Sequence, residues 1–135
     1  MKQEQNNSEK KEIIMPLIQV DLKRSVFKDK GKEISSAIHN SLVAGLGMDT
    51  TDLFQVFRPH DEGEIIFSPT YGNRDRHDLI IIRITMVNMF SLEQKKKTYK
   101  ELTKRLVDIG IRCDDILVCL VENSAENWSL GEREV

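Results

Sequence analysis

The segment Met15-Pro16-Leu17-Ile18-Gln19-Val20-Asp21-Leu22 organises the rest of the chain. Apolar and polar residues alternate through it, which predicts a strand with one buried face. A proline can occupy the first position of a strand, where its missing N–H costs no ladder hydrogen bond. If Met15 is the translation start and is removed, Pro16 becomes a free secondary amine that can serve as base, acid or nucleophile. If the preceding residues remain, Pro16 is an amide without basicity.

Composition predicts one soluble globular domain. The chain has 135 residues, of which 39% are hydrophobic and 31% charged, and its formal net charge is −2. This balance gives no basic surface for nucleic acid, and the sequence shows neither a membrane-spanning apolar run nor a signal peptide. The spacing of Cys113 and Cys119 suits free thiols in a reducing compartment. We therefore expect a cytoplasmic protein that binds neither nucleic acid nor membrane.

Residues 1–15 are predicted to be a disordered leader or extension. Met1–Ile14 is rich in Lys, Glu, Gln and Asn and offers little apolar surface to bury. Lys11–Met15 can be encoded as a purine-rich ribosome-binding sequence followed by a start codon, which suggests untranslated sequence read in frame. A genuine flexible tail is the alternative. Residues 16–135 are then expected to form a single domain.

The rest of the chain predicts two helices and several strands. In chain order these are the helix Asp29–Ala44, the strand Asp52–Phe57, a short strand Glu64–Phe67 within the long loop Arg58–Asp78, the strand Leu79–Val87, the helix Ser91–Ile109 and the strand Ile116–Val121. Ser91 and Gln94 have the spacing of a capping box. In the second helix Tyr99 is expected to face inward and the Lys95–Lys97 run to face solvent.

The second half of the chain resembles the first when shifted by 63 residues, which aligns Gly47 with Gly110 and Asp52 with Asp115. This indicates two duplicated βαβ units, about 16–58 and 79–122, joined by the long loop. The predicted fold class is α/β, as an α+β sandwich with a four-stranded mixed sheet and two helices on one face. Leu79–Val87 is apolar on both sides and predicts a strand covered on both faces. The second face then needs another subunit, so we expect an obligate oligomer.

These features together resemble the tautomerase superfamily, and within it the branch of malonate semialdehyde decarboxylase. The resemblance rests on Met15-Pro16 opening a strand, the duplicated βαβ unit and the segment Val121–Ser129, and it spans Pro16 to about Gly131. It implies a homotrimer, and chemistry carried by an amino-terminal proline on a small-molecule carboxylate. It also implies that no metal or organic cofactor takes part.

The resemblance also implies roles for individual residues. Asp52, 36 residues after Pro16, matches an acidic residue that activates water or orients the substrate. Its other interpretation is a turn former, as its repeat equivalent Asp115 suggests. Trp128 and Leu130 match positions that wall the substrate pocket. Trp128 can equally anchor the C-terminal segment by packing.

The chain departs from the family where substrate carboxylates are bound. Relatives carry arginines just after the strand equivalent to Leu79–Val87, whereas this chain has Asn88-Met89-Phe90-Ser91. A carboxylate is best held by a bidentate arginine. The remaining candidates are Arg24, Arg58, Arg74 and Arg76, of which Arg76 and then Arg74 are preferred because they lie in the loop before Leu79–Val87. For each of them, a solvent-facing charge is the simpler interpretation.

A free prolyl amine would be a base suited to neutral pH. The pKa of an α-amino group is about 7.7–8.0, and an apolar pocket lowers it further. The resemblance, together with this amine chemistry, implies a tautomerase in which Pro16 is the acid/base for keto–enol conversion of a small 2-oxo acid. One alternative is a decarboxylase or hydratase of a small 3-oxo or unsaturated acid. Another is a catalytically silent oligomeric module with Pro16 blocked. No spacing of His, Cys and Asp indicates a metal site.

Overall fold

A computed structural model describes residues 16–131, so the predicted leader 1–15 lies outside the described residues. Four strands and two α-helices follow one another in two βαβ units. They are β1 (Leu17–Lys23), α1 (Arg24–Leu46), β2 (Gln55–His60), β3 (Ile80–Val87), α2 (Leu92–Asp108) and β4 (Ile116–Asn123). Apart from the short strand Glu64–Phe67, the predicted order of strands and helices is confirmed.

The strands form one mixed sheet in the order β2-β1-β3-β4. β1 runs parallel to β2 and β3 runs parallel to β4, while β1 and β3 pair antiparallel in the centre. Both helices pack together on one face of this sheet. They approach closely where Gly45 meets Thr98, since a Cβ on Gly45 would lie 2.2 Å from the threonine Oγ1. The predicted fold class is therefore confirmed.

The hydrophobic core lies between the sheet and the two helices. The alternation in β1 buries every second residue, and the same holds for β3, so the inner face of the sheet is apolar. The helices contribute their inward stripe to the same cluster. Its largest fully buried side chains are Ile18, Val20, Leu22, Ile34, Ile38, Leu42, Ile80, Ile82, Ile84, Met86, Leu102 and Leu106.

Two predicted boundaries in the first unit were wrong. α1 begins at Arg24 rather than at Asp29, directly after β1, because Val26 and Phe27 in its first turn pack against the core. β2 begins at Gln55 rather than at Asp52. The cause is a turn in which the Asp49 carboxylate accepts hydrogen bonds from the Thr51 backbone N–H and hydroxyl.

Two further predictions about side chains and strands were also wrong. Glu64–Phe67 is not a strand: Ile66 is 91% exposed, and turns such as the one closed by the Glu64 N–H and the Asp61 carbonyl shape this segment. Tyr99 is exposed, and its neighbour Thr98 is buried instead because it packs where Gly45 lets the two helices meet. The predicted capping box of Ser91 and Gln94 is confirmed.

The outer face of the sheet is not covered within one protomer. Val56, Leu117 and Val121 are exposed apolar residues on this face, and Arg83 is exposed in the middle of β3. The prediction that β3 is covered on both faces is thus not met by this chain alone. Neither helix in the part of the chain that the structure describes is long and apolar enough to cross a membrane.

Candidate active site

Pro16 lies at an edge of the sheet where all four strands begin or end. The Ile18 N–H donates to the Phe54 carbonyl at 3.0 Å, so the starts of β1 and β2 are adjacent. Leu17 pairs with Thr85, and therefore Pro16 falls beside the end of β3. We call this region the Pro16 edge: Pro16, residues 52–54 before β2, residues 86–90 at the end of β3 and residues 122–130 at the end of β4. Pro16 is buried there.

Asp52 reaches the Pro16 edge through a tight turn. The Asp52 N–H donates to the Asp49 carbonyl at 3.0 Å, and the Asp49 carboxylate binds the intervening Thr51. His39 of α1 donates through Nε2–H to the Thr50 carbonyl at 2.8 Å, which ties the turn to the helix. The half-buried Asp52 is thereby held just before the residues that pair with β1. The structure brings Asp52 and Pro16 to the same edge.

Trp128 and Leu130 return to this edge after β4. The Asn88 N–H donates to the Asn123 carbonyl at 2.7 Å, which joins the chain after β3 to the end of β4. A short turn, Ala125–Asn127, then reverses the chain, and the Trp128 indole N–H donates to the Asn123 side-chain oxygen. The tryptophan is half-buried and Leu130 is exposed. Both residues therefore lie at the Pro16 edge and present apolar surface.

The predicted carboxylate-binding arginines lie at the opposite end of the sheet within one protomer. β1 has seven residues and spans about 23 Å, and Arg24 follows its far end. The Arg24 guanidinium binds Asp61 at 3.0 Å, Arg74 binds Asp114 at 3.3 Å, and Arg76 donates to the Tyr71 carbonyl at 2.6 Å. The first two contacts join the loop between β2 and β3 to the body of the protein, and the third lies within the loop.

The remaining candidate, Arg58, lies on the outer face of the sheet. It is part of β2, and its guanidinium Nε lies 3.3 Å from a carboxylate oxygen of Asp21 on the neighbouring strand β1. The same oxygen is 2.7 Å from the His60 ring. Arg58 therefore forms a cross-strand ion pair with Asp21 and does not point toward the Pro16 edge.

Asp115, the repeat equivalent of Asp52, fastens the loop at that opposite end. It is only 3% exposed, accepts the His77 backbone N–H at 2.7 Å and lies 3.4 Å from the Arg112 guanidinium. Its neighbour Asp114 accepts the Asp75 backbone N–H at 3.0 Å, and this hydrogen bond lowers the pKa of the Asp114 carboxyl. Two carboxylates thus anchor the loop, a role that the 63-residue shift alone did not indicate.

A lysine that sequence reasoning assigned to solvent also reaches the Pro16 edge. The Lys95 ammonium lies 2.7 Å from the Glu122 carboxylate at the end of β4.

In the part of the chain that the structure describes, no group of three or more His, Cys, Asp or Glu side chains is arranged to hold a metal ion.

Comparison with known proteins assigns the family. A family model described as "Tautomerase enzyme" matches residues 52–131. The chain belongs to the tautomerase family. A probable tautomerase of Bacillus subtilis (strain 168), YusQ, is 31% identical over 119 residues, which cover 87% of this chain and 94% of the relative. The prediction of a tautomerase-class isomerase is thereby confirmed.

Solved structures agree with this assignment. A crystal structure of malonate semialdehyde decarboxylase, described as a structural basis for its decarboxylase and hydratase activities, is 32% identical with a TM-score of 0.78. The match covers 86% of this chain and 91% of that one. A fused 4-OT described as a symmetric trimer has a TM-score of 0.72 at 12% identity, covering 86% and 92% of the two chains, and shows the fold alone. The predicted resemblance to the decarboxylase branch is confirmed.

Proposed function

We propose that this tautomerase uses Pro16, exposed as the amino terminus by removal of Met15, to move a proton between carbon and oxygen of a small 2-oxo acid. The observation that carries the proposal is that Pro16 is buried at the start of β1, at the same edge as Asp52. Burial disfavours the charged form of an amine, so a prolyl amine at this position would be available as a base near neutral pH.

The proposed reaction needs one proton and no external reagent. The Pro16 nitrogen takes a proton from C3 of the 2-oxo acid, and the electron pair of that C–H bond forms the C2=C3 double bond. The negative charge collects on the carbonyl oxygen, which then takes the proton from the prolinium. Asp52 orients the substrate or a water molecule beside the amine. Trp128 and Leu130 exclude bulk water from the reacting atoms.

The assembly that we propose is a homotrimer that buries the outer face of the sheet. The exposed apolar residues Val56, Leu117 and Val121 support burial of this face against another copy. Within one protomer Arg76, Arg74 and Arg24 lie about 23 Å from Pro16. We therefore propose that any carboxylate contact by these arginines is made across a subunit boundary, to the Pro16 edge of a neighbour. We also propose that the protein is cytoplasmic.

A decarboxylase or hydratase acting on a small 3-oxo or unsaturated acid is the second candidate. It is favoured by the similarity to malonate semialdehyde decarboxylase over most of the chain and by the position of Asp52 at the Pro16 edge. The absence of arginine from Asn88-Met89-Phe90-Ser91 counts against it. A silent oligomeric module in which Pro16 stays blocked is the third.

One set of proteins distinguishes these functions. A shorter form that begins at Pro16, with its amino terminus checked by mass, is compared with the full 135-residue chain and with a Pro16→Ala variant of the shorter form. The rate of conversion of phenylpyruvate enol to the keto acid is measured, together with carbon dioxide release from a 3-oxo acid.

We expect enol conversion by the form that begins at Pro16 and at least a tenfold lower rate in the other two proteins. Equal rates in all three would refute proline catalysis. Carbon dioxide release without enol conversion would favour the second candidate, and loss of both reactions in every form would favour the silent module. The mass of the native amino terminus shows which form the cell contains.

A further inference from the structure

Lys95 differs from its neighbours in the Lys95–Lys97 run. Lys96 and Lys97 are exposed, as expected for a solvated helix face. The Lys95 side chain instead folds against the end of β4 and is only 21% exposed, and its ammonium lies 2.7 Å from the Glu122 carboxylate, which is 25% exposed. A long side chain held in this way loses rotamer freedom, so its placement needs a stabilising contact.

The strand register places this ion pair at the same edge of the sheet as Pro16. Leu17 pairs with Thr85, so continuing the antiparallel register sets Pro16 opposite Met86, and Met86 pairs with Glu122. Pro16 and Glu122 are therefore two strand spacings apart, about 10 Å between their backbones. A short 2-oxo acid can span this distance. Its reacting carbon would contact the Pro16 nitrogen, and its carboxylate would accept a charge-assisted hydrogen bond from Lys95.

The amino terminus of α2 also lies at this edge, and its capping box already uses two of the backbone N–H groups there. The Ser91 hydroxyl accepts the Gln94 N–H at 3.1 Å, and the Gln94 side chain accepts the Ser91 N–H at 2.9 Å. This capping box uses helix-end donors that would otherwise face a ligand. A full positive charge for an anion at this edge must come from a side chain, because a helix end supplies only a partial charge. A lysine ammonium has three N–H donors, of which one points at Glu122 and two remain.

We propose that Lys95 binds the carboxylate of the substrate in the same protomer that supplies Pro16. Glu122 orients the ammonium through its ion pair and, as a neighbouring negative charge, weakens binding of the anion. The ligand class is a short-chain carboxylate. The identity of that carboxylate as a 2-oxo acid rests on the proposed function, whereas the binding of an anion by Lys95 does not.

Binding of malonate, an unreactive dicarboxylate, tests the site on the full 135-residue chain. Its dissociation constant is measured by calorimetry for the unaltered chain, Lys95→Met, Glu122→Gln and the matched control Lys97→Met, with thermal unfolding as the check on folding. We expect Lys95→Met to weaken binding about tenfold, the size of a hydrogen bond between charged groups. Lys97→Met should leave it unchanged, and Glu122→Gln should tighten it about threefold because a repulsive charge is removed.

Opposite effects of Lys95→Met and Glu122→Gln on malonate affinity distinguish a binding site from an ion pair that only stabilises the fold. If the pair only stabilises the fold, Lys95→Met leaves malonate binding unchanged, or both variants weaken it to the same extent, and either result overturns the proposal. In the form beginning at Pro16, Lys95→Met should raise KM for phenylpyruvate with little change in kcat. If Pro16→Ala removes activity while Lys95→Met changes neither binding nor KM, only the Lys95 proposal fails. If Pro16→Ala leaves activity intact, the proposed function fails and the malonate result still decides on Lys95.

Discussion

The two aspartates that the repeat relates, Asp115 and Asp52, should respond to mutation in opposite ways. Asp115→Ala removes a buried carboxylate that accepts the His77 backbone N–H at 2.7 Å. Leaving the His77 backbone N–H without an acceptor costs about 1–3 kcal/mol. The lost pair with Arg112 adds only about 0–1 kcal/mol, because that arginine side chain is 40% exposed and also pairs with Asp75. We therefore expect the free energy of unfolding to fall by about 2–3 kcal/mol, which lowers Tm by roughly 6–12 °C for a domain of this size.

The assay compares thermal unfolding and enol conversion for the two variants at one protein concentration, since assembly also affects Tm. Asp115→Ala should retain most of the rate at a temperature where it is folded, because Asp115 lies about 23 Å from the Pro16 edge. Asp52→Asn should lower the rate at least tenfold with a smaller change in Tm. If Asp115→Ala unfolds at the unaltered Tm, the loop anchor is not a stabilising contact. If Asp52→Asn keeps the full rate, Asp52 has no catalytic role.

Two further predictions concern positioning and pH. His39→Leu should lower kcat several-fold through loss of its hydrogen bond to the turn before Asp52, and His39→Gln, which can donate to the same carbonyl, should restore much of it. In the Asp52→Asn background His39→Leu should have no further effect, and additive losses would show that the histidine acts elsewhere. The pKa of Asp114 is lowered by its hydrogen bond from Asp75, so its stabilising effect is complete above the unfolded carboxyl pKa and is lost as pH falls through the folded value. Asp114→Asn should flatten the acid limb of the unfolding curve, and an unchanged limb would exclude this contribution.

The fold was predictable because local patterns agree with the tertiary structure over most elements. The alternation from Ile18 to Leu22 identifies the inner face of β1, and the Ser91 capping box marks the start of α2 to within one residue. The start of β2 was missed because the Asp49 side chain closes a turn before it. A side-chain hydrogen bond to the backbone competes with strand pairing, and periodicity does not report it.

The candidate site was only partly predictable, for a different reason. The resemblance to the decarboxylase branch predicted that Asp52 acts with Pro16, and the structure brings both to one edge because they precede the neighbouring parallel strands β1 and β2. The location of Arg74 and Arg76 depends on the path of the loop between β2 and β3, which hydrogen bonds such as that of Asp114 to the Asp75 N–H determine. These contacts join residues 39 positions apart and leave no local pattern in the sequence. The direction of Lys95 depends likewise on how α2 sits against β4.

The two ends of the sheet show how one duplicated unit can serve two purposes. The shift of 63 residues relates Pro16 to Leu79 and Asp52 to Asp115, so both ends began with the same framework. At one end the buried residue is a proline, whose nitrogen can titrate once it is terminal. At the other end the buried residue is Leu79, which is not a chain terminus and has no free amine. The equivalent aspartate, Asp115, binds the connecting loop there. An amino terminus occurs once per chain, so only one of the two ends can carry the amine. The long loop lies over the end that lacks this amine, and there Arg74 of the loop pairs with Asp114, next to the repeat equivalent of Asp52.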